Sequence, residues 1–343
     1  MDARLKRFFA ASKAHALLLH NGDAARMSDP NMYYFLRFDI DSSFLIVRRD
    51  GEQVLLTSPM NYEYAKEKFS GRVERAKGSE VWKKLAEELR GCRSVSLNKR
   101  CLPASTYSKL LRMRKRLHDC SRELLELRAR KDGEELSLIQ RACAITRTVF
   151  ESVRFRVGKT EEEMAREAEI AMLEQGAHSA FFPIIQSGPN ARFPHSPPTR
   201  RRWKRGEILL VDLGARWQGY CSDLTRCFFS GKCREERETY EKLREINREL
   251  MKYLRPGTPA GKVATLATEL FEQAGLPHMP HSIGHGVGLE VHEHPSLRKG
   301  SRAVLEAGNV VALEPAVYGK KFGARFEETV LVTKGGGKTL ASF

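Results

Sequence analysis

Two stretches of this chain set a pair of carboxylates into runs that should be strands, and a third gathers imidazoles between them. In 207–229 the apolar run Ile208-Leu209-Leu210-Val211 leads into Asp212, and Asp223 precedes a second apolar and aromatic run. Arg216-Trp217-Gln218-Gly219 lies between them. Apolar runs around a glycine-containing junction read as a hairpin. A turn at Trp217 and Gln218 pairs Arg216 with Gly219. Followed back along both strands, that register sets Asp212 directly opposite Asp223, ~4.5–5.5 Å apart at Cβ. Like charges so placed destabilise a sheet, which calls for a cation between them. Aspartates beside an ordinary surface turn would share this spacing. Asp is depleted in strands, however, and Asp212 follows four apolar residues directly.

The segment 281–295, HSIGHGVGLEVHEHP, holds four of the ten histidines. Imidazole is the commonest neutral metal ligand, and four structural histidines in one glycine-rich turn would be unusual. The segment is not H-E-x-x-H, because Ser296 stands where the second histidine must be, and Gly284, Gly286 and Gly288 lack dinucleotide-loop spacing. In 309–332 two apolar strands flank a loop at 318–322, and a turn centred between Lys320 and Lys321 sets Glu314 opposite Glu327. Glu is also disfavoured in strands. Two hairpins each delivering a carboxylate pair, with an imidazole between them in sequence, make the ligand set of a dinuclear, oxygen-rich metal site.

The elements that must carry these groups fall in two domains, 1–124 and 125–343, with a charged junction at 128–133. The length of 343 residues supports two cores, and 41% hydrophobic with 30% charged residues describes a globular chain. The first domain reads as α/β. A helix at 5–14 and a strand at 16–19 lead to the apolar run 32–36. A hairpin of 43–47 with 53–57 follows, then helices at 80–90 and 104–117. In the second domain, apolar residues at three- and four-residue steps from Leu136 to Val149 predict an amphipathic helix. Another starts at Thr160, with Glu163 completing a capping box. Further helices are predicted at 234–254 and 260–274. Gly158-Lys159-Thr160 is not a phosphate loop, since Val153 stands where its first glycine belongs. His195 lies in a proline-rich loop and by itself signals nothing.

The seven cysteines include no C-x-x-C pair and read as small apolar residues in a reducing compartment. No run approaches a membrane span, and Lys13 and His15 interrupt the apolar N-terminus, so the expectation is a cytoplasmic protein. The net charge of +16 is densest at 200–205 and 109–116. No nucleic-acid-binding motif accompanies it, and both clusters read as solvated faces, with neither nucleic acid nor membrane expected as a partner.

The order Asp, Asp, His, Glu, Glu, set in DLGARWQGYCSD, GHGVGLEVHE, LEPAVY and GARFEE, resembles the pita-bread metallopeptidases, which include methionine aminopeptidase, aminopeptidase P and prolidase. The likeness covers roughly 125–343. PNMYYFLRF, the hairpin after it and NYEYAKE resemble the creatinase-like N-terminal domain of the Xaa-Pro branch. The fold so implied is α/β (α+β), a pita-bread catalytic domain behind a smaller creatinase-like one. The resemblance implies that Asp212 chelates one divalent ion, His285 and Glu314 the other, and that Asp223 and Glu327 bridge both. It further implies a metal-bridging hydroxide as nucleophile and Glu314 as the group that moves its proton to the leaving nitrogen. His292 and His195 would contact the substrate carbonyl and the tetrahedral intermediate. His281 would line the leaving-residue pocket, and Arg325 would support the ligand carboxylates. The implied cofactors are two divalent ions, Mn²⁺ or Co²⁺, with Zn²⁺ or Fe²⁺ also compatible. The implied substrate is a small peptide with proline second, and the implied assembly a homodimer. The chain departs from the family pattern at Asn309, Ala316 and Cys227. It also carries Ser296 where some prolidases hold an arginine for the dipeptide carboxylate, with Arg298 and Arg302 nearby. Dipeptidase and aminopeptidase specificity both remain open on this pattern. The contrasting reading is a metal-free relative that binds nucleic acid or a protein; the intact five-ligand set opposes it.

Overall fold

The computed structural model describes residues 3–22 and 29–341. The chain divides into two compact units, 1–128 and 129–343, and the division falls in the charged stretch that the sequence marks.

The N-terminal unit is built on a six-stranded mixed sheet. Its strands are β1 (Ala16–Asn21), β2 (Ser43–Arg48), β3 (Gln53–Thr57), β4 (Arg72–Arg75), β5 (Ser94–Leu97) and β6 (Arg116–Asp119), in the order β4-β3-β2-β1-β5-β6. The uninterrupted Leu17-Leu18-Leu19 run makes β1 a central strand buried on both faces. The apolar run 32–36 belongs to a helix, Pro30–Leu36. Asp29 caps it, accepting from the Asn31 amide at 2.9 Å, and proline fills the first turn, where no amide is needed. The stretch 104–117 is not one helix. Helix Ala104–Leu111 stops, Arg114 reverses the chain at φ 52°, and β6 pairs parallel with β5. A continued helix would stack Arg112 on Arg116 at the four-residue step, a repulsive pair, while pairing satisfies the β5 edge.

The C-terminal unit sets helices against several short antiparallel sheets. Helices Gly133–Ser152 and Glu161–Glu174 begin with capping boxes, Asp132 with Glu135 and Thr160 with Glu163. The strands are β7 (His178–Ser179), β8 (Ile184–Ser187), β9 (Ile208–Leu213), β10 (Ala215–Trp217), β11 (Tyr220–Cys221), β12 (Leu224–Phe229), β13 (Gly284–Gly286), β14 (Glu293–Ser296), β15 (Val310–Leu313), β16 (Ala316–Tyr318), β17 (Gly323–Arg325), β18 (Glu328–Thr333) and β19 (Gly336–Thr339). They order as β12-β9-β8, β11-β10-β7, β14-β13-β15-β18-β19 and β16-β17. Helices Arg234–Met251 and Ala260–Gln273 bury Leu243, Leu250, Val263 and Phe271 against Val311, Leu313, Val330 and Val332 of the largest sheet. No helix among the described residues is long and apolar enough to cross a membrane.

Candidate metal centre

The first hairpin folds as expected in type but not in register. Its two-residue turn is Gln218-Gly219, with φ 44° and 80°, rather than Trp217-Gln218, and Trp217 pairs with Tyr220. This kind of hairpin turn, type I′, holds both central residues at positive φ, which Gly219 supplies freely and a bulky Trp217 resists. The pairing therefore slips, and Asp212 faces Thr225 instead of Asp223. A slip of two along one strand preserves the face, so Asp223 stays a diagonal neighbour of Asp212 on the same side. The ladder breaks at Gly214, where a Cβ would meet the Ser222 carbonyl at 2.3 Å. At this break the Thr329 hydroxyl serves the Asp223 backbone twice, accepting from its amide at 3.1 Å and donating to its carbonyl at 2.8 Å.

The second hairpin has the expected register, with Ala316 opposite Arg325 and Leu313 opposite Glu328, and Glu314 and Glu327 lie at the junction between these ladders. Glu327 bridges instead to Thr225, joining the two hairpins. His285 is carried by β13. Gly284 and Gly286 let that strand press against its neighbours, since a Cβ on either would lie within 2.3 Å of a carbonyl oxygen of β15 or β14.

Ligand atoms of Asp223, His285 and Glu327, all buried, lie within 4.8 Å of one another. His285 Nε2 is 3.7 Å from Asp223 Oδ2 and 3.7 Å from Glu314 Oε1. Its Nδ1 lies 3.2 Å from the Gly286 carbonyl, which can only accept, so Nδ1 carries the proton and Nε2 turns a lone pair toward the carboxylates. Asp212 lines the same cavity, and Arg325 NH2 donates to its Oδ2 at 2.5 Å. Arg325 also donates from Nε to Thr225 Oγ1 at 2.9 Å and from NH1 to the Tyr318 hydroxyl at 2.7 Å. Thr225 Oγ1 in turn donates to Glu327 Oε2 at 2.7 Å. The Tyr318 hydroxyl stands 3.1 Å from His281 Nε2, and His281 Nδ1 donates to the Ser282 carbonyl at 2.8 Å. His292 packs edge-on to His285, ring centroids 4.2 Å apart.

Burial and mutual repulsion push the carboxyls of Asp223 and Glu314 well above the usual carboxylate range, and Glu327 up to about 8. Burial also raises Asp212 against the pull of Arg325. Burial opposes the charge on Arg325, yet the acids and Tyr318 around it hold the guanidinium well above its ordinary value. His285 falls to about 3 and His281 to about 4, both chiefly through burial, so both stay neutral and able to offer lone pairs. Ionised together, four carboxylates against one guanidinium would leave an excess of negative charge in a buried site. Each pair of like charges ~4 Å apart costs ~4 kcal/mol at an effective dielectric constant of 20. Divalent cations remove that cost. Asp212 Oδ1 fits the same conclusion, being buried with no hydrogen-bond partner.

The cavity, about 640 Å³, brings together every residue expected from the sequence: His195, Asp212, Asp223, His281, His285, His292, Glu314, Arg325 and Glu327. Its apolar wall is Phe181, Phe182, Pro183 and Ile184. A second cavity of about 590 Å³ shares His281, Ser282 and Ser296 with it and runs on to Arg298 and Lys299. Arg302 lines neither. Sequence reasoning missed Thr225, Tyr318 and Glu161. Thr225 was within reach, since it lies two residues past Asp223 and so shares its face. Glu161 is fully buried and accepts from the amides and hydroxyls of Ser187 and Thr199 and from Asn190 Nδ2, at 2.7–3.1 Å. It thereby ties down both ends of the loop that carries His195.

A buried cluster of carboxylates around a neutral imidazole, open to a substrate-sized cavity, defines a metal-dependent hydrolase. Residues 137–334 match metallopeptidase family M24, residues 3–130 match the creatinase/prolidase N-terminal domain, and the chain belongs to family M24. It is 33% identical over 325 residues to an Xaa-Pro dipeptidase of Pyrococcus horikoshii, covering 91% of this chain and 90% of that protein. Its fold is similar to an X-Pro aminopeptidase of Thermotoga maritima (TM-score 0.91, 26% identity, 98% of each chain). It is also similar to the prolidase of Pyrococcus furiosus (TM-score 0.88, 29% identity, 99% of each chain).

Proposed function

We propose that this chain hydrolyses the peptide bond before a proline in second position, with residues 125–343 carrying the chemistry. Two divalent cations would be held by Asp212, Asp223, His285, Glu314 and Glu327, with Asp223 and Glu327 shared. The observation that carries this is the approach of Asp223, Glu314 and Glu327 to the His285 lone pair, with Asp212 in the same cavity, in a chain most of whose length matches proteins named for Xaa-Pro cleavage. When bound, the cations supply Lewis-acid activation of water and polarisation of the scissile carbonyl. The oxygen-rich set suits Mn²⁺ or Co²⁺, with Zn²⁺ and Fe²⁺ also compatible.

The chain's own groups do the rest. Glu314 lies between His285 Nε2 and His281 Nδ1, at 3.7 and 3.6 Å, on the boundary of cluster and pocket. That position supports its taking a proton from water and giving it to the leaving nitrogen. His292 and His195, at the open side of the cavity, orient the substrate carbonyl. Arg325 holds Asp212 and, through Thr225, Glu327 in fixed orientations. Proline offers no N–H, so shape must select it, and His281 with the apolar wall supplies that shape. The neighbouring cavity supports peptides longer than two residues, with Arg298 meeting a dipeptide's carboxylate in place of the arginine that Ser296 lacks. The cytoplasm is the compartment this reading carries, and the family resemblance adds a homodimer.

The test is metal-stripped protein reloaded with Mn²⁺ or Co²⁺ and assayed on Gly-Pro, on an Xaa-Pro-Yaa tripeptide and on a Met-Ala peptide. Two equivalents of metal and cleavage of the proline substrates are expected, with Asp223→Ala and Glu327→Ala losing both. Cleavage of Met-Ala alone, or full activity with one equivalent of metal, would overturn the proposal. Arg298→Ala should damage dipeptide cleavage more than tripeptide cleavage; equal loss on both removes Arg298 from specificity.

A further inference from the structure

The excess positive charge of this chain is not spread evenly. Between Arg90 and Arg116 there are nine lysines and arginines and no aspartate or glutamate. The fold of the N-terminal unit gathers part of this run with helix Glu80–Glu88 around one cavity of about 670 Å³. Lys83, Arg90, Lys109, Arg112 and Lys115 line it, no carboxylate does, and Trp82 forms its aromatic wall. Elsewhere in the same unit cations are neutralised: Arg72 meets Glu88 at 2.5 Å and Lys84 meets Glu74 at 3.0 Å. None of the five cations at the cavity has an ion pair among the described residues. Trp82 is anchored from one side by the Phe44 ring at 5.7 Å, and Lys109 Nζ lies 4.7 Å from its centroid, so one charge is held against the ring.

Five unpaired cations around one concavity repel one another, and a ligand carrying several regularly spaced negative charges relieves this better than separate small anions. An aromatic wall beside those charges adds a surface on which a base can stack. A concave pocket admits an unstacked nucleotide, whereas a duplex presents a convex cylinder. A bilayer is flat and would leave the concavity unfilled. We infer that this groove of the N-terminal unit binds single-stranded nucleic acid, its five cations contacting successive phosphates and Trp82 stacking a base. The site lies wholly within residues 82–115, so the inference is independent of the peptidase reading.

Fluorescence anisotropy of the full chain with a labelled 12-nucleotide oligo(U) tests it. If all five cations contact phosphates, log Kobs falls with log salt at a slope of about −3.5, at ~0.7 per contact on a single strand. That slope amounts to ~100-fold weaker binding between 50 and 200 mM salt. The Lys109→Ala variant should flatten the slope by ~0.7, and Lys109→Glu/Arg112→Glu/Lys115→Glu should abolish binding while peptidase activity is unchanged. Trp82→Ala should weaken binding at least fivefold by loss of stacking, with Trp82→Phe recovering most of it as a folding control. ATP and a duplex of equal length should compete poorly. Unchanged binding by the triple variant would place the contact elsewhere, for instance at 200–205, and overturn the inference. Equal binding to phosphatidylserine vesicles or to poly-glutamate would overturn it as well, reducing the groove to a general polyanion surface.

Discussion

Thr225→Val replaces one buried hydroxyl by a methyl group and leaves the backbone bridge between Thr225 and Glu327 in place. The lost hydroxyl accepts from Arg325 Nε at 2.9 Å and donates to Glu327 Oε2 at 2.7 Å, in a residue with no solvent exposure. Arg325 Nε is left without an acceptor, a desolvated donor on a charged group that costs about 1–3 kcal/mol. Glu327 loses the contact that fixes its orientation. Groups that orient a ligand in this way are worth about 10–100-fold in metal affinity, or ~1.4–2.7 kcal/mol, matching the hydrogen-bond figure. Calorimetric Mn²⁺ titration of the stripped protein, with circular dichroism to confirm the fold, should therefore show affinity lowered 10–100-fold and kcat falling with it. Thr225→Ser keeps the hydroxyl and should stay close to the parent. Parental affinity in a folded Val variant, or equal damage in the Ser variant, would refute the reasoning, the latter by showing that the methyl group and not the hydroxyl matters.

His292→Ala should lower kcat by ~10²–10³ while metal content stays intact, by analogy with loss of an oxyanion-stabilising donor; loss of metal would make His292 a ligand. Glu161→Gln should act through His195, so the double variant with His195→Ala should lose less than the sum of the singles. Strict additivity in that cycle would show that Glu161 does not position His195. The stripped protein should become less stable as pH rises from 6.5 to 8. The raised carboxyl of Glu327 contributes stability that is complete below about 4.5 and is lost as pH climbs through about 8, with Asp223 and Glu314 acting in the same sense. The buried histidines work oppositely only below their ordinary value of 6.5, so this window isolates the carboxyls. Saturating Mn²⁺ should flatten the slope, and a Tm of stripped protein that rises across the window would contradict the account.

The sequence by itself determined which residues share a face and which segments are helices with defined starts. Strand parity aligned Asp212 with Asp223 even though the turn slipped by one residue, because moving a hairpin turn by one shifts pairing by two and keeps the face. The capping box at Thr160 was readable as a helix start because its contacts lie three residues apart, and the structure adds a second at Asp132 of the same kind. The second hairpin kept its register because its loop centre was readable from symmetric flanking strands. Only the tertiary structure decided the rest, and the reason is separation along the chain. Thr225 meets Glu327 and Arg325 meets Asp212 across some hundred residues, where no periodicity connects them. The basic run at 109–116 reads as a solvated face along the chain, and only the fold places Trp82 and Lys83 of helix Glu80–Glu88 beside it. Charge counted along a chain says nothing about which charges the fold leaves without partners. That depends on where the carboxylates of distant segments come to rest.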